Sequence, residues 1–307
     1  MVRKVQAGGM SARRRQSKVL ETRPAILAIL VAALLAVSPA PVAGAAENSA
    51  RPADGERIAS IDLCADQAVV ALIDRNRIAG LSRWASDPRL SVMTEEAGTV
   101  PTLAMSAESV LMSGAGTVVA DSYGDIKTIG LLQRLGVTVY RMPAADSFPD
   151  VLRSLTTIGG ELHEADRAGG LVSSLRSRLD RLAASPPVHR PLAAYYRPDG
   201  GTAGSGTAVD AAFHAAGYRN LAAELGTRGW GKFDLETLVL HPPEVIVASF
   251  FEGNPGTLSD RFSAHPVFRK AFRDIPIVKV PARFWSCGGW PLVSAAETLA
   301  AARNAAP

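Results

Sequence analysis

Residues 117–141, TVVADSYGDIKTIGLLQRLGVTVYR, hold the pattern on which the fold turns. Residues 117–120 form a short apolar, β-branched run that predicts a strand. Residues 125–135 predict a helix, stopped by Gly136 in the manner of a glycine C-cap. Residues 137–141 predict the next strand. Strand, helix and strand in succession make a βα unit, which requires a mostly parallel sheet. The alternation continues upstream. Residues 57–61 and 78–81 predict strands, residues 66–73 a helix with Asp66 placed to cap it, and Ser106 caps a helix running to Met112.

A long stretch without strand signals follows. Val151, Leu152, Leu155, Ile158 and Leu162 keep helical spacing, as do Leu171, Val172, Leu175, Leu179 and Leu182. Gly159-Gly160 and Gly169-Gly170 weaken the middle. The reading is therefore two helices meeting near His163, the second over residues 164–184 and ended by Pro186-Pro187. The βα pattern then resumes. Strands are predicted at 192–196, 245–248 and 277–280, a glycine-rich loop at 200–206, and helices at 207–216, 235–240 and 292–303. The expected fold class is α/β with two lobes. Each lobe is a mostly parallel sheet flanked by helices. One long connecting helix joins them, and a ligand cleft lies between. The expected domains are a signal peptide (1–45), an N-terminal α/β lobe (46–147), a helical connector (148–186) and a C-terminal α/β lobe (187–307).

The N-terminus carries the signal peptide reading. Arg13-Arg14-Arg15 and Lys18 are followed by thirteen uncharged residues, 25–37, and then by Ala43-Gly44-Ala45, a small-residue cleavage pattern. Thirteen residues span too little of a ~30 Å bilayer core, and prolines follow at once. The expectation is cleavage near residue 45 and a periplasmic product. The 307 residues carry a formal charge of +4, yet residues 1–45 hold seven basic groups and one acid, so the remainder stands at −2. No basic face for nucleic acid is supported. Two cysteines exclude a four-thiolate zinc site, and the five histidines lack the spacing of helix-borne zinc catalysis.

Candidate ligand-binding residues follow from position. Trp84, Tyr123, Tyr196, Phe250, Phe251 and Trp285 each follow a predicted strand or sit in a loop. Loops beyond strand carboxyl ends face the crevice of an α/β lobe. Aromatic side chains there suit a flat, greasy chelate. Fourteen of the eighteen aromatic residues lie after residue 190, so the second lobe is expected to supply most of the stacking surface. Arg83, Arg197 and Arg283 neighbour these aromatics and would suit an anionic rim. Gly204-Ser-Gly206 lacks the lysine of a phosphate loop, and no nucleophile-elbow motif is present.

With these residues in place, the chain resembles the helical-backbone class of periplasmic substrate-binding proteins, which serve ABC importers of ferric siderophores, haem and corrinoids. The likeness rests on several stretches taken in order. They are Arg57-Ile-Ala-Ser-Ile-Asp-Leu-Cys-Ala-Asp-Gln67, Arg77-Ile-Ala-Gly-Leu-Ser82, Ser106-Ala-Glu-Ser-Val-Leu, Gly217-Tyr-Arg-Asn220, Phe233-Asp-Leu-Glu236, His241-Pro-Pro-Glu-Val-Ile-Val and Trp285-Ser-Cys-Gly-Gly289. The resemblance implies a monomeric binding protein that captures a metal chelate and delivers it to an inner-membrane ABC permease. It implies no catalysis, no nucleic-acid partner and no cofactor beyond the chelate carried. The family docks through one acid on each lobe. Those positions align with Gln67 and Ala211 here, which leaves neighbouring Asp66 and Asp210 as the expected docking residues.

Cys64 and Cys287 stand 223 positions apart, one per lobe, each after a strand, and both are expected to border the cleft. Three states are open: two separate small residues, a disulfide across the lobes favoured by an oxidising compartment, or paired thiolate metal ligands. The alternative functions are accordingly a secreted thiol redox or metal-carrier protein using Cys64 and Cys287, or a hydrolase on the same fold.

Overall fold

The computed structural model of the chain describes residues 56–197, 199–248, 266, 270 and 272–305. The expected signal peptide, Phe250 and Phe251 lie outside the described residues. No helix among the described residues is long and apolar enough to cross a membrane.

The first sheet contains β1 (Ile58–Ser60), β2 (Ile78–Ser82), β3 (Thr102–Leu103), β4 (Thr117–Ala120) and β5 (Thr138–Arg141). Its order is β3-β2-β1-β4-β5, and every pairing is parallel. Both faces are covered, as a parallel sheet demands. On β4, Val118 and Ala120 join one apolar cluster, while Val119 joins another on the opposite face. The helices are α1 (Leu63–Leu72), α2 (Thr94–Ala97), α3 (Ala107–Met112) and α4 (Ile126–Arg134). Ser106 caps α3 and Asp125 caps α4 as expected, and Gly136 ends the α4 turn at φ 85°. The cap of α1 is Asp62, not Asp66: its side chain accepts from the Ala65 amide at 2.8 Å. The helix begins before the periodic apolar run, so the reading placed the cap one turn too late.

Two helices make the connector. Helix α5 (Phe148–Glu161) and the long connecting helix α6 (Ala165–Ala183) meet at His163, whose φ of 58° reverses the chain. At 1.5 Å per residue, the nineteen residues of α6 extend about 28 Å. Val151 and Leu155 of α5 belong to the core of the second sheet, and Ile158 and Leu162 to that of the first. The order reverses along α6, where Ala168 faces the first core and Val172 and Leu175 the second. Gly159 makes this close packing possible, because a Cβ there would collide with that of Ala168.

The remaining strands are β6 (Leu192–Tyr195), β7 (Gly201–Ala203), β8 (Arg219–Asn220), β9 (Trp230–Lys232), β10 (Val245–Ala248) and β11 (Ile277–Lys279). Four form a second parallel sheet ordered β11-β10-β6-β8. Strands β7 and β9 pair antiparallel, so part of the expected 200–206 loop is strand. Three residues containing glycine carry too little alternation to announce a strand. Helices α7 (Ala208–Ala215), α8 (Leu221–Glu224), α9 (Leu235–Leu240) and α10 (Leu292–Ala305) complete the described fold.

A seam joins the two sheets' layers beside the connector. Cys64 at the start of α1 is bonded to Cys287, with Cα atoms 5.4 Å apart. Nearby, Trp290 Nε1 donates to the Gln67 carbonyl at 3.4 Å, and Arg283 donates to the Pro88 carbonyl at 3.3 Å. Gly288 lies so close to Ala145 that a Cβ would strike its carbonyl oxygen. Because the bridge spans a sequence separation of 223 residues, it restricts the unfolded chain strongly. Replacing both cysteines by serine should lower the unfolding free energy by about 2–4 kcal/mol in urea titrations. Equal midpoints and slopes for the two proteins would show that the bridge does not restrain the fold.

Candidate functional site

A cleft of about 310 Å³ opens where the two sheets' loops converge. Asp121, Ser122 and Tyr123 reach it from the loop after β4, and residues 142–146 from the stretch after β5. Ala208, Trp230, Trp285, Ser286, Gly288 and Gly289 face them from the second sheet's side, and Cys64 borders the floor. The first-lobe contributions come from strand carboxyl ends, as parallel topology dictates.

Three aromatic side chains line this space. Tyr123 is 81% exposed and Trp230 60%, whereas Trp285 is only 8% exposed. Tyr195 holds both indoles from behind. Its ring meets Trp285 edge-on at 5.4 Å and Trp230 at 6.1 Å. Such edge-to-face pairs fix orientation and add about 0.5–1.5 kcal/mol beyond area. Among the described residues, the Trp285 indole Nε1 is buried without a hydrogen-bond partner.

The expected residues divide accordingly. Tyr123, Trp285 and Cys64 border the cleft. Cys287 does not: it lines a small enclosed space behind the bridge with Gln67 and Trp290. Trp84 is outside the described lining and lies under the Arg83 guanidinium, 4.1 Å from its ring centre. Tyr196 is a core residue, 2% exposed and clustered with Ala194, Leu221 and Ile246. Strand alternation explains the miss, since it sends Tyr195 toward the tryptophans and its neighbour to the opposite face. Trp230 and Tyr195 were absent from the sequence reading. Register decides Tyr195, and a three-residue strand carries Trp230, so only the general excess of aromatics after residue 190 hinted at them.

The docking expectation fails on burial. Asp66 is 1% exposed and accepts from the Ser60 hydroxyl, the Ser82 amide at 2.9 Å and the Ser82 hydroxyl at 2.5 Å. Asp210 is 8% exposed and accepts from Asn220 Nδ2 at 2.8 Å and the Gly206 amide at 3.4 Å. Both carboxylates accept hydrogen bonds within their own lobes, and Asp210 also lies 3.4 Å from His214 Nε2.

The cleft is acidic among its described residues: Asp121 and Asp146 line it, with no lysine or arginine. Asp62 sits behind. Its two oxygens accept from the Ala65 and Asp121 amides at 2.8 Å each. Burial, and then the Asp121 charge, push its pKa up to about 7. Burial also raises Asp66 to about 6, against the hydrogen bonds from Ser60 and Ser82. One ligand atom each from Asp62, Cys64 and Asp121 lies within 4.8 Å of the others. The sulfur is committed to the bridge, so the thiolate-metal state is replaced by a disulfide.

The chain matches the family model described as Periplasmic binding protein over residues 58–271. It is 29% identical over 226 residues to a protein named "Cobalamin-binding protein" from Halobacterium salinarum, covering 71% of this chain. The chain spans 59% of the length of that relative. Among solved structures, the periplasmic heme-binding protein RhuT of Roseiflexus sp. superposes with a TM-score of 0.67 at 20% identity, over 80% of this chain and 98% of that one. The periplasmic vitamin B12 binding protein BtuF of Vibrio cholerae gives 0.60 at 17% identity, over 80% and 95%. At these identities the structures speak for the fold.

The raised Asp62 pKa makes a stability prediction. The folded protein holds this proton more tightly than the unfolded chain does. Its contribution is therefore greatest below about pH 4 and is lost as the pH rises toward 7, a change of roughly 4 kcal/mol for a three-unit shift. Asp62→Asn keeps a capping oxygen but has no charge to bury. Urea unfolding of both proteins at pH 4.5, 6 and 8 should show the variant gaining on the native protein as pH rises. A constant difference would mean that Asp62 titrates as an ordinary carboxylate.

Proposed function

We propose that this chain, which belongs to the periplasmic binding protein family, captures a metal chelate in the cleft and passes it to an inner-membrane ABC importer. The observation that carries the reading is the convergence of three aromatic side chains on one cleft, Tyr123 from the first sheet's loops and Trp230 and Trp285 from the opposite side. Two indoles and a phenol offer flat apolar area with polar edges, which suits a planar macrocycle better than a compact polar solute. The names of the relatives, one for cobalamin and one for heme, support a tetrapyrrole-type chelate. A ferric siderophore belongs to the same class of cargo.

The protein acts by binding and release rather than turnover. Among the described lining residues there is no histidine, and the only cysteine is bridged, so the lining offers no Ser–His or Cys–His pair. The export signal at residues 1–45 delivers the mature chain to the periplasm as a monomer. Docking to the permease then uses acids other than Asp66 and Asp210.

Calorimetric titration with cyanocobalamin, haemin and a ferric hydroxamate tests the proposal. One of them should bind, and Trp230→Ala should weaken it by about 1–3 kcal/mol, the scale of losing one large contact. Trp230 is largely exposed, so its loss should leave the unfolding midpoint within about 1–2 °C of the original. Failure of all three chelates to bind would overturn this function.

A further inference from the structure

The disulfide has two unlike ends. Cys64 lines both the cleft and the small enclosed space behind it, whereas Cys287 is 5% exposed and lines only the enclosed space. A molecule entering the cleft therefore meets Cys64 before Cys287. Carboxylate oxygens of Asp62 and Asp121 lie within 4.8 Å of that sulfur, and Asp146 lies farther along the lining. No lysine or arginine is among the described lining residues to offset them.

We propose that Cys64 Sγ is a thiol-exchange site entered through the cleft, and that the carboxylates around it favour cationic over anionic thiols. The chemistry is ordinary exchange. A thiolate, R–S⁻, attacks Cys64 Sγ and forms an R–S–S–Cys64 mixed disulfide. The bond to Cys287 breaks, and the electron pair leaves on Cys287 Sγ, which takes a proton from water. A second thiolate then attacks the R sulfur, the electron pair leaves on Cys64 Sγ, which takes a proton, and the products are the Cys64 thiol and R–S–S–R. The protein thus gains two electrons and two protons. Attack from the other side is disfavoured because Cys287 is buried. A negatively charged thiol meets repulsion from the carboxylates on approach, while an ammonium-bearing thiol is drawn in. Opening the bridge would also free the segment carrying Trp285 from its covalent tie to α1.

The test uses the mature protein and three small thiols: cysteamine, mercaptoethanol and mercaptoacetate. Rates per thiolate are measured on the native protein and on the same protein unfolded in guanidinium chloride, which cancels differences in intrinsic nucleophilicity. The cysteamine-to-mercaptoacetate ratio should be about tenfold or more higher on the native protein. Mass spectrometry of trapped intermediates should place the mixed disulfide on Cys64. Asp121→Asn, which keeps an oxygen for the Tyr123 amide, should narrow the ratio. A native ratio equal to the unfolded one, adducts on Cys287, or a native bridge resistant to all three thiols would each overturn the proposal. None of these readings depends on which chelate binds.

Discussion

The first turn of α1 is the constraint on which the described fold depends. Asp62, Cys64 and Asp66 occupy alternate positions there, and each reaches in a different direction. Asp62 caps the helix and also accepts from the Asp121 amide, fixing the loop that carries Tyr123. Cys64 crosses to Cys287 and ties in the segment that carries Trp285. Asp66 turns inward and holds β1 and β2 through Ser60 and Ser82. A helix presents successive even positions about 200° apart, so one turn can serve the cleft, the far lobe and the sheet beneath it.

These roles conflict electrostatically. Burying a carboxylate costs several kcal/mol unless hydrogen bonds replace its water. Asp66 accepts three such bonds and its pKa still rises to about 6. Asp62 accepts two backbone amides, gains whatever the helix N-terminus offers, and still rises to about 7 beside Asp121. Desolvation therefore outweighs the favourable terms at both. Covalent closure nearby helps such an arrangement persist, because it reduces the entropy that these contacts must overcome.

Much of the scaffold was legible because both sheets are buried on two faces. Runs such as Thr117–Ala120 and Val245–Ala248 are buried throughout, apolar apart from Thr117, and coincide with their strands. Side-chain direction was less legible, since one step of register exchanges Tyr195 for Tyr196. Asp66 and Asp210 illustrate a second limit. A polar residue beside an expected docking position reads as surface, yet here each is the acceptor that satisfies a buried network. The cysteine pairing was open for a third reason: no local pattern joins positions 223 apart, and only the tertiary fold brings their Cα atoms within bonding reach.

The same reasoning explains why the cleft has a fixed wall and an adaptable one. Trp285 is buried, braced by Tyr195 and tied through its segment to Gln67, Pro88 and Cys64. Tyr123 and Trp230 are exposed, with Trp230 on a two-stranded ribbon. A ligand that packs against Trp285 meets a surface whose ordering cost was met during folding. One that engages Tyr123, which is exposed and has no such brace among the described residues, must order it on arrival, at about 0.5–1.5 kcal/mol.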